Sequence, residues 1–219
     1  MKRLFIATLF LFAACTTARL DLPADAYDVS GANPRRWNAP LSFGEWRTEM
    51  VDEGTTRSWL AEAGILQVAR ADQGYHLTMN GVAVECHTKE LVLGASGFFV
   101  DAALGRKPLL VCGYDRGGER HALTLHRTGK IEPTLRGTLR DDDGNALEVR
   151  SLHRPAGAKL PAGEPFGFEV LRGEERVAVV ETVNRGRVWI APDAANRDTL
   201  AAAAASLLLF REPEAGDVD

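Results

Sequence analysis

Residues 197–212 read RDTLAAAAASLLLFRE, with no charged side chain between Asp198 and Arg211. As a helix, 199–210 would be about 18 Å long at about 1.5 Å per residue, against a bilayer hydrocarbon core of about 30 Å, so the run cannot span a membrane. Asp198 is placed to act as N-cap, Arg211 suits the negative end of the helix dipole, and Pro213 blocks extension. A capped helix without a polar face has to be buried on every side. One helix can be surrounded only if the rest of the chain wraps around it.

The rest of the chain has the texture for that. From Leu41 onward, short runs of Val, Leu, Thr, Phe and Trp alternate with turn residues, the pattern of an all-β meander. Asn80-Gly81 supplies the positive φ of a tight hairpin turn. DRGGER at 115–120, DDDGNA at 141–146, RGEER at 172–176 and VNRGRV at 183–188 are further hairpin loops. The strands expected between them are 41–50, 55–62, 65–71, 74–79, 82–88, 91–100, 108–114, 120–127, 135–140, 146–152, 167–172, 176–183 and 186–190. Leu123 and Leu125 oppose Ala122, Thr124 and His126, and Leu147, Val149 and Ser151 oppose Glu148, Arg150 and Leu152, so these strands have one wet face. Residues 153–165, HRPAGAKLPAGEP, read as an exposed connection.

An eight-stranded barrel is filled by its own side chains, whereas about eleven strands enclose room for a helix. The fold expected is all-β: a roughly twelve-stranded antiparallel barrel around a buried hydrophobic C-terminal helix. The alanines at 201–205 would let backbone approach closely, Leu207, Leu208, Leu209 and Phe210 would fill the other end, and Ser206 can bond back to a carbonyl one turn earlier. The rival is a β-sandwich or lipocalin-like barrel with the helix outside, but an external helix should show a polar face. The stretch FGFEVLRGEERVAVVETVNRGRVWIAPDAANRDTLAAAAASLLLF, two hairpins and then the helix, resembles the tubby-like superfamily, which includes phospholipid scramblases and LURP-related proteins. The resemblance implies a barrel closed around a C-terminal helix. It implies no ligand, because the basic phosphoinositide site and the calcium and palmitoylation motifs of that superfamily do not map onto this chain.

The opening MKRLFIATLFLFAAC has a short basic region, an apolar run from Leu4 to Phe12 and then small residues, the layout of a secretory signal over 1–14. Its end, LFAAC, resembles the lipobox of bacterial lipoproteins and implies acylation of Cys15, with ordinary cleavage near TTA as the alternative. Thr16 in place of Asp implies, by the same resemblance, the outer membrane. One acyl chain anchors only marginally, so several would be needed. Residues 15–40 read as a lipidated N-terminus and flexible tether whose later part packs on the domain through Tyr27 and Trp37; 41–212 form the domain and 213–219 an acidic tail.

Losing Lys2 and Arg3 with the signal leaves 24 of the 26 basic residues against 30 acidic ones, a formal charge of −6. No basic stripe is present, so nucleic acid is excluded as a partner. With Cys15 taken by lipid, Cys86 in VAVECHTK and Cys112 in LLVCGYDR remain, and in an oxidising compartment they read as one disulfide; two buried thiols are the alternative.

Little else carries chemistry. His121 and His126 are an odd number apart, and Cys86 and His87 are adjacent, so on strands neither pair can share a metal. Ser96 in GASGF lacks the context of a nucleophile elbow, and DDDGN lacks the spacing of a calcium loop. Trp46, Trp59 and Trp189 read as core. No catalytic residue, metal or cofactor is expected, and no enzyme. The expected role is a structural or binding module at the cell envelope, its partners the membrane through the lipid and a lipid ligand or envelope protein. A carrier of an apolar ligand is the alternative, and a periplasmic hydrolase the third reading.

Overall fold

The computed structural model describes residues 18–31, 40–53, 67–68, 73–88, 92–93, 108–129 and 134–210. The elements are β1 (Tyr27–Asp28), β2 (Ser42–Phe43), β3 (Trp46–Glu53), β4 (Gln67–Val68), β5 (Gln73–Met79), β6 (Val82–Thr88), β7 (Val92–Leu93), β8 (Leu110–Arg116), β9 (Glu119–Thr128), β10 (Thr134–Asp141), β11 (Ala146–Leu152), β12 (Gly167–Arg172), β13 (Glu175–Glu181), β14 (Arg187–Ile190) and α1 (Arg197–Leu209). Twelve strands form one antiparallel sheet in the order β1-β14-β13-β12-β11-β10-β9-β8-β6-β5-β3-β2, while β4 and β7 pair separately. Ser30, beyond β1, exchanges backbone hydrogen bonds of 2.8 and 2.9 Å with Ser42 of β2. That bridge joins the first strand of the sheet to the last, and the barrel is nearly closed.

Alternation decides what faces the lumen. Val82, Val84 and Cys86 of β6, Leu110, Cys112 and Tyr114 of β8, Leu123 and Leu125 of β9, and Phe168 and Val170 of β12 are buried in one core. The helix α1 lies in that core, against β5, β6, β8, β13 and β14. Thr199 through Leu207 are all buried, and the alanines at 201–205 let these neighbouring strands come close. Leu200 and Leu207 each contribute about 2 kcal/mol of burial free energy. Ser206 Oγ donates back to the Ala202 carbonyl at 3.0 Å, as its position one turn later predicts.

The Asn80-Gly81 turn takes positive φ at both residues, 48° and 78°, which fixes the β5–β6 register so that Cys86 falls opposite Tyr75. On the outer surface, Arg136 of β10 and Arg150 of β11 both pair with Glu148 of β11, and Arg176 of β13 pairs with Glu169 of β12. Pairs between side chains this exposed add little to stability, because solvent screens them.

Three expectations need correction. The segment 41–50 is not one strand: Gly44, at φ 56°, turns the chain between β2 and β3. The helix starts earlier than Thr199, at Arg197, and its N-cap is Asn196 in the left-handed region without a side-chain cap; the Asp198 carboxylate is engaged elsewhere. The tether packs through Tyr27 as expected, edge-on to Trp46, but the packing begins earlier than its later part: β1 pairs with β14, and Leu20 and Val29 are buried, so residues 18–31 belong to the domain. The signal 1–14, Cys15, the strand at 55–62, Trp37, Trp59, Ser96, Arg211 and the tail 213–219 lie outside the described residues.

Candidate functional site

The two interior cysteines are direct cross-strand partners. Cys86 and Cys112 sit opposite each other on β6 and β8 with Cα atoms 4.1 Å apart, form a disulfide, and are fully buried. Their lumen-facing placement follows from the apolar alternation on either side of each.

Each half of α1 is held by a polar contact from the wall. Near its start, Asp198 accepts from Trp46 Nε1 at 2.9 Å and pairs with Arg116 at 2.8 Å. The Arg197 guanidinium lies 4.9 Å from the centre of the Trp46 ring and 3.4 Å from Glu45, so Trp46 is clamped from two sides. Near its other end, the Tyr75 hydroxyl donates to the Ser206 carbonyl at 2.8 Å. Burial pushes the Tyr75 and Tyr114 phenols well above their ordinary pKa, so both stay neutral inside the barrel.

The histidines separate as their spacing predicts. His121, nearly buried, shares its face of β9 with Leu123 and Leu125 and approaches Asn196 at the start of α1. His126 lies on the opposite face with Thr124. Cys86 points inward and His87 outward, so the disulfide and the imidazole are on opposite sides of β6. Among the described residues no group of three His, Cys, Asp or Glu side chains is placed to hold a metal ion. DDDGN is the β10–β11 turn: Asp141 accepts from the Asn145 backbone at 2.7 Å and from its side-chain amide at 2.9 Å. Trp46 is core, and Trp189 is partly buried against the core.

Sequence reasoning missed one polar pair on the outer face. Glu85 and His87, two apart on β6, are hydrogen-bonded at 2.9 Å, and both are buried, at 0% and 1% exposure. Their i, i+2 spacing puts them on the face opposite Val84 and Cys86. On a strand with one apolar face, that spacing alone reads as a solvated edge.

Several long-range polar contacts gather at the start of the described chain. The Leu20 N–H donates to Glu181 Oε2 at 2.7 Å, and Arg187 Nη2 donates to the Leu20 carbonyl at 2.9 Å. Glu181 and Arg187, cross-strand neighbours on β13 and β14, are themselves paired at 2.8 Å, and the Glu181 bond raises the Arg187 pKa. The pair thus offers Leu20 one acceptor and one donor, as a neighbouring strand would. The Asn184 side-chain amide donates to the Ala18 carbonyl at 3.1 Å, and the Ala156 N–H to the Arg19 carbonyl at 2.7 Å. Three consecutive carbonyls, 18 to 20, are therefore held by the β13–β14 turn, the β11–β12 loop and β14. Gly167 leaves room for the Leu20 side chain: a Cβ there would fall 2.8 Å from Leu20 Cδ1 and 2.0 Å from the Val180 carbonyl oxygen. No family model, curated protein or solved structure matches this chain.

Proposed function

We propose that this chain is a bacterial cell-envelope lipoprotein, acylated at Cys15, whose barrel is a structural or binding module and not a catalyst. The observation that carries the reading is the cysteine pairing. Of three cysteines in the chain, Cys86 and Cys112 are joined inside the barrel. That leaves Cys15, directly after the apolar run and LFAA, as the thiol available to a lipid. A buried disulfide suits an oxidising compartment, which is where a chain with a cleaved secretory signal would fold. Thr16 after the cysteine favours the outer membrane, with the barrel facing the periplasm.

The helix in the lumen supports kinship with the tubby-like superfamily at the level of architecture alone, since fold does not carry function. It also weighs against the carrier reading: an apolar ligand on the barrel axis would have to displace the residues buried from Thr199 to Leu207. The test is intact-mass measurement of the chain purified from membranes. The expected species starts at Cys15 and carries acyl mass, and Cys15→Ser should release the domain from the membrane fraction. A Cys15→Ser chain that stays membrane-bound would overturn the reading.

A further inference from the structure

We infer that one rim of the barrel, made by the β11–β12 loop, the turn at Asn184 and the bound N-terminal segment, is a bilayer-contact surface in which Leu160 enters the lipid interface. The inference rests on the acylation of Cys15 proposed above and adds an orientation to it.

The first argument is reach. Ala18 is held to Asn184 and Arg19 to Ala156, so only two residues lie between Cys15 and the first fixed position. Three Cα-to-Cα steps span at most about 10 Å fully extended. A lipid on Cys15 would therefore hold this rim against the headgroups, whereas a tether running to residue 40 would have let the barrel turn freely.

The second argument is what the rim displays. Leu160 is 78% exposed, and it is the one exposed large hydrophobic among the described residues. It stands on a loop with ordered ends: the Ala162 N–H donates to the His153 carbonyl at 2.7 Å, and the His153 ring lies between Ser151 Oγ at 2.8 Å and the Ala162 carbonyl at 3.2 Å. A turn bond from the Ala158 N–H to the Pro155 carbonyl shapes the tip. The apolar side chain is thus presented on a compact loop closed at its base.

The third argument is charge. The chain as a whole is acidic, yet residues 18–21, 153–166 and 183–186 carry Arg19, Arg154, Lys159 and Arg185, all exposed, against Asp21 and Glu164, with Asp25 and Asp28 following farther along the N-terminal segment. Basic residues held near an anionic leaflet are attracted to its phosphates, and an apolar residue with flanking cations is the composition of an interfacial contact.

The test uses the chain purified from membranes and reconstituted into vesicles of phosphatidylcholine and phosphatidylglycerol, its acyl mass measured on the same sample. A tryptophan is placed at Leu160→Trp or, as control, at Asp143→Trp in the turn at the opposite end of the strands, and the native tryptophan signal is subtracted using the parent chain. With lipids brominated at shallow positions, about 5–10 Å deep, emission from position 160 should fall by about half while that from 143 stays unchanged. Adding Arg154→Glu and Lys159→Glu should abolish the quenching. Acyl mass present with equal quenching at the two positions would overturn the contact surface and leave the lipoprotein reading standing. Acyl mass absent from the membrane-purified chain would overturn both.

Discussion

The Leu20 N–H donates to the Glu181 carboxylate at 2.7 Å across 161 positions of sequence. The bond ties the start of the described chain to the strand that packs most closely on α1. It makes the N-terminal segment part of the cooperative unit of the fold.

Glu181→Ala should therefore cost far more than a surface ion pair. It leaves Arg187, only 19% exposed at its side chain, without its buried partner, and it strands the Leu20 N–H. Breaking a buried pair by removing one member costs about 3–5 kcal/mol, and urea unfolding should show a loss of that size. A loss under about 1 kcal/mol, the scale of exposed pairs, would mean that residues 18–22 detach without consequence.

Ala203 is 1% exposed in the middle of α1. Ala203→Asp would place a carboxylate in the barrel lumen without a partner, and the chain should fail to fold cooperatively. Ala203→Gly gives a graded check: it should cost about 1 kcal/mol through helix propensity alone. A soluble, cooperatively unfolding Ala203→Asp protein would sink the buried-helix account.

The disulfide closes a loop of 26 residues' separation. Chain-entropy reasoning puts its contribution at about 3 kcal/mol. Thermal or denaturant melts with and without reductant should differ by that amount, as should a Cys86→Ala, Cys112→Ala chain compared with the oxidised parent. Coincident melts would show that the bridge adds nothing to stability.

How much of this was legible in the sequence depended on whether a local pattern existed to be read. In VAVECHT the inward set Val82, Val84 and Cys86 is unbroken and Asn80-Gly81 sets the turn, so the strand and its hairpin could be read; the Cys86–Cys112 pairing was read from cysteine count and compartment, and the register came only with the structure. The helix was readable from its lack of charge, but not its cap. Asp198 looks like an N-cap by residue type, yet Trp46 and Arg116 take its carboxylate, and those partners are 152 and 82 positions away. Tyr27–Asp28 is a two-residue strand in Pro- and Asp-rich text, too short for any period to show. Its place is set by its pairing with Arg187 and Val188 of β14, which lie at the other end of the chain. Glu85 and His87 escaped for a related reason: their polarity suggested solvent, whereas their burial is a tertiary fact.

Asp141 and Glu148 give the fold an acid limb. Burial works against the charged form of Asp141, but the hydrogen bonds from Asn145 outweigh it and hold the carboxyl below its ordinary pKa. The hydrogen bond from Arg150 does the same for Glu148. A carboxylate whose folded pKa lies below its unfolded value adds stability above the unfolded pKa, and that stability is lost as pH falls through the folded one. The loss should begin below the ordinary carboxylate range, about pH 4, and deepen with further acid. Asp141→Asn keeps a carbonyl acceptor but cannot ionise, so it should be less stable than the parent at neutral pH, and the gap should close as pH drops below that range. Measuring unfolding midpoints for both proteins across that window decides the matter. A gap that stays constant with pH would place the cost of the substitution in turn geometry and not in the carboxylate charge.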